Sequence, residues 1–173
     1  AGAFASFPEV VEVLSQGERK TAVRLRSGIQ IDLRLVAEEH YASMLHHFTG
    51  SKDHNVAMRS RALSRDLHLN EYGLFHGKKG DGERIDTTDE NELFGALDLH
   101  YVPPELREGL GEVEAAEEGD LPLLLQAADV RGILHVHTRA SDGADTLEEM
   151  VEAVRQRGYE YVCICDHSKS AGY

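Results

Sequence analysis

Asp129-Val-Arg-Gly-Ile-Leu-His-Val-His-Thr138 runs on to Thr146-Leu-Glu-Glu149 and then to Tyr159-Glu-Tyr-Val-Cys-Ile-Cys-Asp-His-Ser168. Residues 133–137 read as a strand. Thr146 and Glu149 have the spacing of a capping box, and Met150, Val151 and Val154 follow on the helix it opens. Gly158 stops that helix, and Tyr159 to Cys165 is a second apolar strand. Strand, helix, strand implies parallel pairing in an α/β layer. A single such unit is an incomplete domain.

The same words carry metal chemistry. Strand alternation places His135 and His137 on one face, where two imidazoles can share an ion. Asp142 follows in the strand-to-helix loop, and Asp166-His167 falls at the C-terminal end of the next strand. Parallel α/β folds build their sites at that edge. Imidazole with carboxylate suits Zn, Mn or Fe, and clustered metals suit phosphoester hydrolysis. The plainer alternative is a histidine pair without a metal. Cys163 and Cys165 share parity with His167, but no fourth soft ligand is visible, so they are read as strand packing.

Working outward toward the N-terminus, Glu105 to Asp120 holds seven acids and one arginine after Pro103-Pro104, and reads as a solvated helix or loop linker. Thr87 and Glu90 have capping-box spacing before a helix through Leu97. The Gly-rich stretch 77–82 reads as a hairpin turn and 67–75 as one strand. Thr49-Gly50-Ser51 separates a short helix over 38–48 from a second over 52–65, which Ser51 caps. Val56, Ala57, Ser60 and Leu63 are expected inward on that helix, and Lys52, Asn55 and Arg59 line another stripe. Residues 20–36 alternate as two strands. A three-residue loop, Arg26-Ser27-Gly28, opposes Leu25 to Ile29 and Val23 to Ile31, with Gly28 at positive φ. Asp32 and Arg34 then share the polar face. Ser6, Pro8 and Glu9 predict a short helix through Val10, Val11, Val13 and Leu14, ending at Gly17. Taken alone, Asp32 beside Arg34 is an exposed ion pair, and the Lys52 stripe a solvated face.

The composition, 41% hydrophobic and 28% charged over 173 residues, is that of a globular chain. No apolar run is long enough for a transmembrane helix, and Ala1 to Ser6 lacks the features of a secretory signal. Two cysteines two residues apart exclude a disulfide framework and fit a reducing, cytoplasmic setting. Residues 1–75 hold nine basic and nine acidic residues, whereas residues 76–173 hold nine basic and 22 acidic ones. All of the net charge of −13 therefore lies in the second part, which suggests two units with different partners.

Read together, Asp32-Leu-Arg-Leu35, His47-Phe-Thr-Gly-Ser51, His54-Asn55, Met58-Arg59 and Asn70-Glu-Tyr72 occur in an order that resembles the C-terminal part of family X DNA polymerases. Pro104-Glu-Leu-Arg107, Glu112 to Ala116, residues 129–138, Ser141-Asp-Gly143 and Asp166-His-Ser168 extend the resemblance to bacterial members with a C-terminal polymerase-and-histidinol-phosphatase (PHP) domain. The fold implied is mixed α/β and α+β. Residues 1–36 are the palm edge and 37–103 the thumb or fingers subdomain that selects nucleotides. Residues 104–128 are the acidic linker and 129–173 the first βαβ unit of a distorted (β/α) PHP barrel.

The resemblance implies roles. Asp32 matches a palm carboxylate that binds catalytic Mg²⁺ and faces the primer 3′ hydroxyl, and Arg34 an arginine that pairs with that site. Phe48, Thr49, Gly50 and Ser51 match the turn against the incoming sugar. Asn55 and Arg59 match probes of the nascent pair's minor groove, which test geometry rather than sequence. Glu71 matches a residue that supports the closed conformation. His135, His137, Asp142 and His167 match Zn²⁺ or Mn²⁺ ligands of the PHP domain, with Asp166 orienting His167. The partners implied are gapped or primer-template DNA and dNTP, with no membrane, for a monomer acting in gap-filling repair with a 3′–5′ exonuclease or phosphoesterase domain. His47, Lys52 and Ile133 depart from the pattern. The remaining palm carboxylates and PHP ligands do not occur in these residues, so the chain resembles an internal fragment and is expected to lack polymerase activity alone. The rival readings are a stand-alone PHP metallo-phosphoesterase and a non-catalytic DNA-binding module.

Overall fold

Val10–Gln16 is a strand, β1, and not the helix expected after Ser6 and Pro8. Val10, Val11 and Val13 are stiff at χ1 and favour the extended chain, and pairing to the next strand supplies the backbone bonds. The helical turn lies earlier, at Gly2–Ala5 (α1), and Ser6 Oγ donates to the Gly2 carbonyl at 3.0 Å. The computed structural model describes residues 2–171, which divide into two units between Leu121 and Pro122.

In the first unit, β2 (Lys20–Leu25) and β3 (Gln30–Arg34) complete an antiparallel sheet in the order β1-β2-β3. The register is the one the apolar pattern demands: Val23 faces Ile31, and the Leu25 N–H donates to the Ile29 carbonyl at 2.8 Å. Gly28 takes φ +88°, which a side chain would resist.

After a 3₁₀ turn at Glu38–His40, α2 spans Tyr41–Thr49 and α3 spans Lys52–Ser64. Ser51 caps α3, accepting the His54 N–H at 3.1 Å. The buried face of α3 is His54, Asn55, Met58 and Ala62. Of the residues expected inward, Ala57 touches the core, whereas Ser60 is exposed and Val56 and Leu63 are 50% and 40% exposed. His54, Met58 and Ala62 follow at i, i+4 and i+8, so drawing the polar His54 inward turns the whole helix.

Residues 67–75 are two strands, β4 (Leu67–Asn70) and β5 (Gly73–His76). Asn70 Oδ1 accepts the Tyr72 N–H at 2.8 Å, an Asx turn that reverses the chain at Glu71-Tyr72. The Gly-rich turn then leads to β6 (Arg84–Ile85). Helix α4 (Glu90–Gly95) is capped by Asp89 rather than Thr87, because Asp89 accepts the Glu92 N–H while the Glu92 carboxylate accepts from Thr88. The acidic stretch read as a linker is instead built into the fold. Its helix α5 (Glu112–Glu118) buries Val113 and Ala116 against Met58, Phe94 and Val102 in one apolar core. Glu114, Glu117 and Glu118 occupy the exposed faces of a helix whose apolar stripe is short, and Glu112 is buried at its start.

The second unit pairs β7 (Gly132–Val136) in parallel with β8 (Tyr161–Ile164), joined by α6 (Leu147–Gln156). Thr146 and Glu149 form the expected reciprocal cap. No helix among the described residues is long and apolar enough to cross a membrane.

Candidate functional site: a glycine turn and a metal-donor cluster

The first unit reverses between α2 and α3 at Thr49-Gly50-Ser51. Thr49 Oγ1 donates to the Leu45 carbonyl at 2.7 Å, closing the last turn of α2. A Cβ on Gly50 would lie 2.8 Å from the His54 ring, so this turn packs on α3 only as glycine. Phe48 remains 56% exposed, with the Arg34 guanidinium carbon 5.7 Å from its ring centroid. Lys52 and Arg59 are exposed on α3.

Asn55 does not share their stripe. It is buried, with Nδ2 3.0–3.1 Å from the carbonyls of His47, Gly50 and Ser51, so its amide holds the turn from inside. Asp32 is also not paired as expected. It accepts from Gln30 Nε2 at 3.1 Å and lies 3.9 Å from Lys20 Nζ, while Arg34 leans on Phe48. Glu71 is half-buried at the β4–β5 turn.

Behind the turn lies a polar network that carried no role in the sequence reading. Arg107 is fully buried; its Nη1 donates to Glu90 Oε1 and to Thr49 Oγ1, both at 2.6 Å, and its Nε to the Val102 carbonyl at 2.9 Å. Glu112 accepts from the Gly109 and Leu110 amides and from His54 Nδ1 at 2.6 Å. His54 Nε2 lies 3.2 Å from His46 Nε2. With both imidazoles neutral, one assignment satisfies every bond: His54 protonated on Nδ1, and His46 donating from Nε2. Burial, and then the neighbouring His54 and Arg107, push the His46 pKa down to about 3. Burial also lowers that of His54. Burial pushes Glu112 up, but the hydrogen bonds from His54 and the two amides outweigh it and hold the carboxyl below its usual range. The available signal in the sequence was Arg107, the lone base in its acidic run.

In the second unit, His137, Asp142 and His167 each offer a donor atom within 4.8 Å of the others. His137 Nδ1 lies 2.9 Å from Asp142 Oδ1, and His167 Nε2 3.8 Å from Asp142 Oδ2. The donor set, two imidazoles and a carboxylate, fits a transition-metal ion. His135 stands outside this group. It sits at φ +62° in a register break between Ile133 and Val136, so simple alternation fails there, although its ring remains 5.0 Å from that of His137. Asp166 faces the loop that follows β7. It accepts from the Thr138 amide, Thr138 Oγ1 and Ser141 Oγ, all at 2.6 Å, and so fixes the loop that presents Asp142. The Ser141 and Thr138 bonds hold its carboxyl below the usual range. Cys163 and Cys165 are free, with sulfurs 3.7 Å apart. Among the described residues this is the only such three-donor group, so Asp32 by itself does not fit a pair of Mg²⁺ ions.

Comparison with known proteins finds one family match in each unit. Residues 44–108 match the DNA polymerase beta thumb family and residues 134–173 the PHP domain family. The chain is 38% identical over 164 residues to the DNA polymerase/3′-5′ exonuclease PolX of Bacillus subtilis, covering 94% of this chain and 28% of that protein. It is 46% identical over 39 residues to a phosphoribosyl 1,2-cyclic phosphate 1,2-diphosphodiesterase of Eggerthella lenta, covering 22% of this chain and 15% of that protein. A crystal structure of Leishmania infantum polymerase beta in a ternary P/T complex superposes with TM-score 0.50 at 26% identity, covering 58% of this chain and 48% of that one. A polymerase beta thumb match followed in one chain by a PHP match has the order of a family X DNA polymerase fragment with PHP sequence, and the chain spans 28% of the length of PolX.

Proposed function

We propose that this chain carries the nucleotide-selecting part of a DNA-directed DNA polymerase, joined to the first part of a metal-dependent phosphoesterase. The observation that supports the polymerase half is the Phe48-Thr49-Gly50-Ser51 turn at the head of α3, solvent-facing at Phe48 and held from inside by Asn55. In this reading Phe48 and Gly50 pack against the sugar of an incoming dNTP. Lys52 and Arg59 meet gapped or primer-template DNA. Asn55 acts through the turn's carbonyls rather than by touching a base. Asp32 offers one carboxylate toward the primer terminus, and Arg34 and Glu71 flank the nucleotide site. No step is assigned to Asp32 alone.

In the PHP half, His137, Asp142 and His167 would hold Zn²⁺ or Mn²⁺, with His135 beside them. Such an ion supplies Lewis-acid polarisation of a phosphoester and a bound water acidic enough to attack near neutral pH. Asp166 keeps the Thr138–Ser141 loop in place for that site.

Two measurements test this. Gapped-duplex binding by the 173-residue chain should fall steeply with salt and weaken on reversing Lys52 and Arg59 together; binding indifferent to both refutes the DNA reading. In a full-length protein carrying this chain, His137→Ala should abolish 3′–5′ exonuclease activity and leave templated dNTP addition intact. Loss of both together would refute two separable sites.

A further inference from the structure

The Thr49-Gly50-Ser51 turn is clamped on both flanks by one residue 58 positions from Thr49. The Arg107 guanidinium donates to Thr49 Oγ1 at 2.6 Å, and the Arg107 carbonyl accepts the Ser51 N–H at 2.9 Å. We propose that Arg107 is the positioning residue that sets where this turn meets its ligand. On the polymerase reading, which this proposal extends, that ligand is the nucleotide sugar.

The geometry around Arg107 argues for placement more than for stability. Thr49 Oγ1 spends its single proton on the Leu45 carbonyl, so it can only accept from Arg107, and the direction of both bonds is determined. The guanidinium is held in place by Glu90 and the Val102 carbonyl, and lies over the rings of Phe94 and Tyr101 with its central carbon 5.3 and 5.5 Å from their centroids. Its other terminal nitrogen, Nη2, is buried with no hydrogen-bond partner. A buried ion pair with an unsatisfied donor is a poor stabiliser beside an apolar replacement of similar volume. What an apolar replacement cannot do is fix Thr49 in one orientation. A 3₁₀ turn at Pro104–Leu106 delivers Arg107, and Glu112 ties the following loop to His54 at the first turn of α3. The segment after the thumb core thus closes a frame around Gly50.

Hydrogen exchange on the 173-residue chain tests the placement directly. Ser51 amide exchange should rise about tenfold in Arg107→Met, and also in Thr49→Val, which removes only the hydroxyl and disturbs the core less. Arg61→Met, which loses bonds to the Leu97 and Asp98 carbonyls and the ion pair with Glu117, all away from the turn, should leave Ser51 exchange unchanged. In the full-length polymerase, Thr49→Val should raise the KM for dNTP about tenfold with kcat nearly constant, the signature of lost ground-state and transition-state binding alike. Unchanged Ser51 exchange in Thr49→Val overturns the proposal, as does an equal rise in Arg61→Met. If instead the wild-type polymerase adds no dNTP, the polymerase reading falls while the exchange result still decides the placement.

Discussion

Lowering the pH from 7 to 5 should cost the first unit about 2 kcal/mol through His46 alone. In the unfolded chain His46 titrates near 6.5, whereas in the fold it titrates near 3. Between those values the unfolded state binds a proton that the native state refuses, so stability rises with pH across that window and is lost as pH falls through it. At pH 7 the effect is nearly absent. At pH 5 the unfolded imidazole is almost fully protonated and the native one almost fully neutral, a difference of about 1.5 pH units at ~1.4 kcal/mol each. The native side chain cannot simply accept the proton. It is 2% exposed, its Nε2 faces His54 Nε2 at 3.2 Å, and the Arg107 charge lies close by. Urea denaturation of wild type and His46→Gln at pH 7 and pH 5 measures the effect, because the glutamine removes the titration while retaining a polar group toward His54. Wild type should lose about 2 kcal/mol more than the variant between the two pH values. Equal losses in both proteins would refute the assignment of a neutral, buried His46.

Leu74→Ala should destabilise the first unit by about 2–5 kcal/mol in urea, since Leu74 is 0% exposed within the core. Gly28→Ala should cost about 1 kcal/mol from backbone strain alone, because nothing lies within 4 Å of a Cβ there, and Gly28→Asn should cost less. Asp166→Ala should weaken Zn²⁺ or Mn²⁺ binding, read by calorimetry, by about 10–100-fold without removing a ligand, by releasing the loop it holds. Equal affinity in that variant would mean that the loop does not set the Asp142 position.

The hairpin of β2 and β3 was legible because a period of two leaves one register that matches its apolar residues, Val23 to Ile31 and Leu25 to Ile29. The caps at Ser51 and Thr146 were legible because a side chain and its target amide lie three residues apart. The parallel pairing of β7 with β8 followed from strand, helix and strand in series. Misreadings came where local signals conflicted with partners distant in the chain. Val10–Gln16 carries a helix-start signal but pairs as a strand with Lys20–Leu25. The 67–75 run was divided by an Asx bond at Asn70. Asp89 out-competed Thr87 as a cap two residues away.

Which residues could do chemistry was written in the chain: imidazoles and carboxylates at strand ends, and a glycine turn before a capped helix. Local order suffices for that, because capping and alternation are set over a few residues. Their roles in space were decided only by tertiary contacts. The fold took Asn55 out of the exposed stripe, left His135 outside the three-donor group, and turned Asp166 toward the Thr138 loop. It also made Arg107, in a stretch that reads as solvated linker, the buried partner of Thr49 and Glu90. A charge far along the chain is driven into the core only when the fold has already assembled partners that offset its desolvation, and no local pattern encodes that meeting.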